Sequence, residues 1–112
     1  METQDTQQKS EELIQDVIEA LEAYDPEKII LFGSRARKEA DEYSDIDLVV
    51  IKRTEEDFLD RLSRVARLLS HLPKAVDVLV YTPDEVDGMV KEGRDFISMV
   101  LEEGKVIYEK QA

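Results

Sequence analysis

Asp45 and Asp47 stand one residue apart at the mouth of an apolar run, Ser44-Asp45-Ile46-Asp47-Leu48-Val49-Val50-Ile51. Residues i and i+2 of a strand face the same way, so this spacing sets two carboxylates side by side on one face of a sheet. Like charges that close repel, and a bound divalent cation removes the repulsion. Hard Mg²⁺ prefers carboxylate oxygens together with substrate phosphates. A second pair, Gly33-Ser34, closes an earlier apolar run, Ile29-Ile30-Leu31-Phe32. Gly33 has no Cβ and lets the backbone come close to a triphosphate. Ser34 can donate its hydroxyl, and a helix beginning after it offers free N–H groups. A third acid, Asp77, lies inside Ala75-Val76-Asp77-Val78-Leu79-Val80. An acid in an apolar strand is costly unless paired or metal-bound. Singly, these are a turn, a strand entry and a salt bridge; together they point to metal-assisted chemistry on a phosphate.

The elements that must hold these residues can be read from pattern. Residues 1–9 read as a polar, flexible lead and 10–112 as one domain. Ser10 is placed to cap a helix whose core face is Leu13, Ile14, Val17, Ile18 and Leu21. Asp25-Pro26 ends it. Lys28 to Phe32 is a short strand, Arg35 to about Glu42 a short helix, and Ile46 to Lys52 a second strand. Thr54 with Asp57 opens a long helix with the seam Phe58, Leu62, Val65, Leu69 and Leu72. Pro73 stops it, and Ala75 to Tyr81 is a third strand. Thr82-Pro83-Asp84-Glu85 is a helix start with cap, Pro at N1 and Glu at N3. Gly93 separates that helix from Arg94–Glu103, whose inward set is Phe96, Ile97, Val100 and Leu101. Gly104 is a C-cap, and Lys105 to Tyr108 a last edge strand.

The fold class is thus α/β (α+β), a small mixed sheet of three to four strands flanked by helices. The topology follows from the acids. Gly33-Ser34 ends the first strand, while Asp45 and Asp47 begin the second, so these meet only if the two run antiparallel. Asp77 joins them only if the second and third strands are parallel, with the long helix as crossover.

Composition narrows the function classes. The chain has 112 residues, no cysteine and a formal net charge of −12. Thiol chemistry, disulfides and zinc–thiolate sites are excluded. No apolar run is long enough to span a membrane, and the start is unlike a signal peptide; a cytoplasmic protein is expected. The acidic balance argues against nucleic acid as main partner and suits a basic protein partner. His71, the sole histidine, reads as a helix-end or surface residue. Tyr24, Tyr43, Tyr81 and Tyr108 read as packing or rim residues; Tyr43, beside Ser44, is also placed to stack on a base. Met89 and Met99 read as core or interface filler.

Gly33-Ser34-Arg35-Ala36-Arg37, then Ser44-Asp45-Ile46-Asp47-Leu48-Val49-Val50, then Asp77, resembles the DNA polymerase β-like nucleotidyltransferase superfamily. Within it the chain is similar to the minimal nucleotidyltransferases, over about residues 12 to 108. The resemblance implies a polymerase β palm-like fold with Asp45, Asp47 and Asp77 as catalytic metal ligands for two Mg²⁺ ions. It implies that Gly33 and Ser34 hold the phosphates of a nucleoside triphosphate, ATP by family habit, with Arg35 and Arg37 as phosphate or partner contacts. Many relatives have Gly just after the second arginine, where this chain has Lys38-Glu39. Minimal members commonly pair with a helical HEPN toxin in a type VII-like toxin–antitoxin system. The nucleotidyltransferase is there the antitoxin and adenylylates a tyrosine of the toxin. The expected activity is therefore transfer of AMP to a hydroxyl on a HEPN partner. Two alternatives are an antitoxin that acts by contact alone and a small-molecule nucleotidyltransferase.

Overall fold

A computed structural model describes residues 2–33, 36 and 46–111, with the side chains of 2–10 left aside. The described elements run in the order α1 (Glu2–Glu22), β1 (Lys28–Phe32), β2 (Ile46–Ile51), α2 (Phe58–Leu69), β3 (Val76–Tyr81), α3 (Pro83–Lys91), α4 (Asp95–Glu103) and β4 (Lys105–Glu109). The strands form one sheet in the order β3-β2-β1-β4. β1 is antiparallel to both β2 and β4, and β2 is parallel to β3. This is the mixed sheet that the three acids required.

The inner strands β1 and β2 are short and nearly all apolar because both faces of the sheet are covered there, whereas the edge strand β4 carries Lys105 and Glu109 and is more exposed. One face carries Ile29, Leu31, Ile46, Leu48, Val50 and Val80, packed against Val17 and Leu21 of α1 and Val65 and Leu69 of α2. The other carries Ile30, Val49 and Ile51, packed against Val86 of α3 and Ile97 and Val100 of α4. The molecule is a helix–sheet–helix sandwich, and each fully buried Val, Leu or Ile contributes on the order of 2 kcal/mol through burial.

Two helix starts differ from the sequence reading. α1 begins at Glu2, so Ser10 is inside the helix and not at its cap. Residues 2–10 are mostly Glu, Gln, Lys, Asp and Thr, with neither Gly nor Pro to stop a helix. The cap of α2 is Asp57, whose side chain accepts from the Asp60 backbone N–H, while Thr54 Oγ1 accepts from Glu56 N–H in the turn before. Both residues are good caps, and the chain uses the one next to the apolar seam. Gly104 is the C-cap of α4, as expected, with φ −72° and its N–H donating to the Val100 carbonyl. A β-carbon there would meet the Val100 carbonyl and fall 2.6 Å from Ile30 Cγ2, so glycine is required for close approach. The Thr82–Glu85 capping box and Pro83 at the start of α3 are as expected.

The inward set of α4 also needs correction. Ile97 and Val100 are buried, but Phe96 is 38% and Leu101 45% exposed. Five apolar residues in a nine-residue helix, Met99 included, span more of its circumference than the sheet covers. Phe58, expected in the seam of α2, is exposed beside Tyr81.

Candidate active site

The acids and the glycine turn meet at one end of the sheet. In the β1–β2 ladder Phe32 is opposite Asp47, and in the β2–β3 ladder Asp47 is opposite Asp77. Directly paired residues project to the same side, so Phe32, Asp47 and Asp77 form a row across three strands. Phe32 packs with the cluster under α3 and α4, which fixes the row on that face. The row lies where β1 ends and β2 and β3 begin.

Gly33 follows immediately, with φ +79°, a conformation that favours glycine. Its bare α-carbon faces Asp47: a β-carbon would lie 2.6 Å from Asp47 Oδ2. The turn backbone and the carboxylate are thus pressed together at one point. This suits a cation shared between carboxylate and phosphate oxygens. Asp47 is half-buried and Asp77 exposed. The burial cost invoked for Asp77 does not apply, since it begins an outer strand in contact with solvent. Asp77 has no ion-pair partner among the described residues.

Asp45, Ser34, Arg35 and Arg37, with Tyr43 and all of the expected Arg35–Glu42 helix except Ala36, lie outside the described residues. Among the described residues no three His, Cys, Asp or Glu side chains gather as a cation site; the described acids of the row are Asp47 and Asp77.

A buried cation not anticipated from the sequence braces the far end of β3. Arg61, 6% exposed, donates to the Glu56 carbonyl at 2.8 Å, the Val80 carbonyl at 3.3 Å and Glu85 Oε1 at 2.7 Å. Glu85 Oε1 also accepts from the Thr82 N–H that begins α3. Burial alone would raise the Glu85 carboxyl, but hydrogen bonds from Arg61 and Thr82 and the Arg61 charge outweigh it and hold it below its usual range. Arg61 thereby ties α2, β3 and α3 together and fixes the strand that carries Asp77. The cue was an arginine between Phe58 and Leu62, on the apolar side of α2.

With this geometry in view, the polymerase β-type nucleotidyltransferase family model matches residues 15–112. The chain belongs to that family. Its sheet, flanked by four helices among the described residues, is the nucleotidyltransferase fold, and a transferase is the activity class that family and fold support. Among solved structures, it is similar to a Sulfolobus solfataricus protein assigned as a nucleotidyltransferase, with 22% identity and a TM-score of 0.61 over 88% of this chain and 79% of that one. A toxin–antitoxin structure with AMP-PNP shares 24% identity and a TM-score of 0.60 over 87% and 73%. A mutant form of the toxin–antitoxin pair MntA–HpeT shares 24% and a TM-score of 0.57 over 87% and 72%. No curated protein matches the chain. Among the described residues no helix is long and apolar enough to cross a membrane.

Proposed function

We propose that this nucleotidyltransferase moves a nucleoside monophosphate, AMP from ATP, onto a hydroxyl of a protein partner, a tyrosine of a HEPN toxin, and so acts as an antitoxin. The observation that carries the chemistry is the in-register pair Asp47–Asp77 with Gly33 turned against Asp47. The partner class is supported by two structural neighbours that are toxin–antitoxin structures, one of them with AMP-PNP.

In this reading Gly33, Ser34 and Arg35 hold the triphosphate. Asp47 and Asp77, with Asp45 from the sequence motif, are the residues that would hold Mg²⁺. Bound there, the metal would offset charge on the phosphate oxygens. The acceptor oxygen bonds to the α-phosphorus as its proton passes to the Asp77 carboxylate. The bond from the α-phosphorus to the oxygen bridging the β-phosphate breaks, and pyrophosphate leaves. The chain's own contribution is positioning and charge complementarity.

The test uses ATP labelled at the α- or the γ-phosphate, with Mg²⁺, the full chain and lysate of the source cells. A discrete protein band that takes α-label but not γ-label supports the proposal, provided the Asp45→Asn/Asp47→Asn variant leaves it unlabelled. Mass spectrometry of the band then reads AMP on tyrosine. Labelling of small molecules alone would favour a small acceptor. Neutralisation of a partner by the double variant as well as by wild type would favour inhibition by contact.

A further inference from the structure

Phe96, in the first turn of α4, sets its ring against Phe32, with centroids 5.5 Å apart and planes at 84°. Phe32 is the residue opposite Asp47, so Phe96 lies one ring beyond the carboxylate row. It is 38% exposed, although Ile97 and Val100 of the same helix are fully buried. The other aromatics of the described residues lie elsewhere. Tyr81 and Phe58 contact each other at the opposite end of the sheet, Tyr24 precedes β1, and Tyr108 pairs with Ile29. Phe32 and Phe96 are thus the aromatic surface of the described residues at the carboxylate end.

The row has two sides. Asp77 ends it on β3, about 10 Å across two strand spacings from Phe32. Gly33, the turn suited to phosphate, is on the Phe32 side. With the acceptor at Asp77 and pyrophosphate leaving in line toward Gly33, the nucleoside projects from the α-phosphorus off the line of the row, and Phe96 is the exposed ring that borders the row. The geometry points to Phe96 as the residue against which the nucleoside of the bound triphosphate packs, an aromatic wall that distinguishes a nucleotide from a bare polyphosphate. The inference rests on the nucleotidyl-transfer reading and adds the nucleoside subsite to it. An exposed ring whose edge or face already meets another ring is well suited to receive a base, because stacking needs no hydrogen-bond partner.

The experiment compares wild type, Phe96→Leu and Phe96→Tyr as full chains, titrated by calorimetry with Mg-ATP and separately with Mg-tripolyphosphate, which has neither sugar nor base. Leucine keeps the apolar packing on Phe32 and loses the aromatic face; tyrosine keeps both. Phe96→Leu is expected to weaken ATP about tenfold, as loss of one stacked base does, with tripolyphosphate unchanged and Phe96→Tyr within about twofold of wild type. Equal ATP affinity in wild type and Phe96→Leu overturns the inference and leaves the transfer reading intact. Parallel weakening of both ligands also overturns it, since Phe96 would then only brace the Phe32 end of the row. If wild type binds neither ligand, the transfer reading itself fails and the inference falls with it.

Discussion

The α-carbon of Gly33 and the carboxylate of Asp47 share one pocket of space: a β-carbon on Gly33 would lie 2.6 Å from Asp47 Oδ2. Any other residue at 33 must therefore displace the carboxylate while also adopting a left-handed φ of +79°. For Gly33→Ala the backbone term costs about 1–2 kcal/mol. The melting temperature is expected to fall several degrees. Transferase activity is expected to fall far more, by about a hundredfold, because the group displaced is Asp47. Thermal denaturation and an α-label assay on the same preparation separate the two effects. Activity that follows stability alone would refute the coupling.

Asp47 and Asp77 are paired in register but differ in surroundings, Asp47 half-buried beside Gly33 and Asp77 exposed on β3. Asp47→Asn is expected to abolish both transfer and Mg²⁺-dependent nucleotide binding. Asp77→Asn is expected to retain nucleotide binding and lose about 10²–10⁴ in rate, the range for removing a positioned proton acceptor. Single-turnover kinetics with a parallel binding titration checks this. Normal turnover in Asp77→Asn would remove its assigned role.

The Arg61–Glu85 contact gives a pH dependence. Glu85 has its carboxyl held below the ordinary value of 4.5. A group whose pKa is depressed by folding contributes its full stability above the unfolded value and loses it as pH falls through the folded one. Wild type should therefore lose stability below about pH 4.5 more steeply than Glu85→Gln. At neutral pH Glu85→Ala should cost about 1–2 kcal/mol, between the exposed and buried extremes, since Arg61 is buried and Glu85 partly open. Denaturant titrations from pH 3 to 7 test both statements, and parallel curves for wild type and Glu85→Gln would contradict them.

The strands and their directions were legible because their sequence is nearly pure β-branched and aliphatic, and because the polar residues mark which ends must meet. Asp77 was legible in position but not in environment: an apolar strand reads as buried, and nothing local says that β3 is outermost. The start of α1 was misjudged because a polar sequence lacks a hydrophobic stripe even where helix propensity is good. Arg61 was missed because a periodic pattern scores charge as surface. Only the fold shows a buried carbonyl and a partly open carboxylate meeting it. Phe96 reads as core in the sequence because helical spacing alone does not reveal where the sheet under α4 stops.

A fourth expectation concerns Tyr24, 6% exposed with a hydroxyl that meets no partner among the described residues. Burial raises its pKa above the ordinary value. An unsatisfied buried hydroxyl costs about 1–3 kcal/mol. Tyr24→Phe should thus be neutral or stabilising by about 1 kcal/mol in chemical denaturation. A clear loss of stability would show that the hydroxyl has a partner, such as a bound water.

β2 is apolar on both faces, so its aliphatic residues alone do not say which face belongs to which pair of helices. A slip of one residue would exchange the faces and carry Asp47 from the open end of one layer into the interior under α1 and α2, where a lone carboxylate is heavily penalised. Asp47 is consequently the residue of β2 that makes its alignment unique. The carboxylate proposed for the reaction also removes an ambiguity from folding, and a variant with valine in its place is expected to be inert and to lose the means of telling its two sides apart.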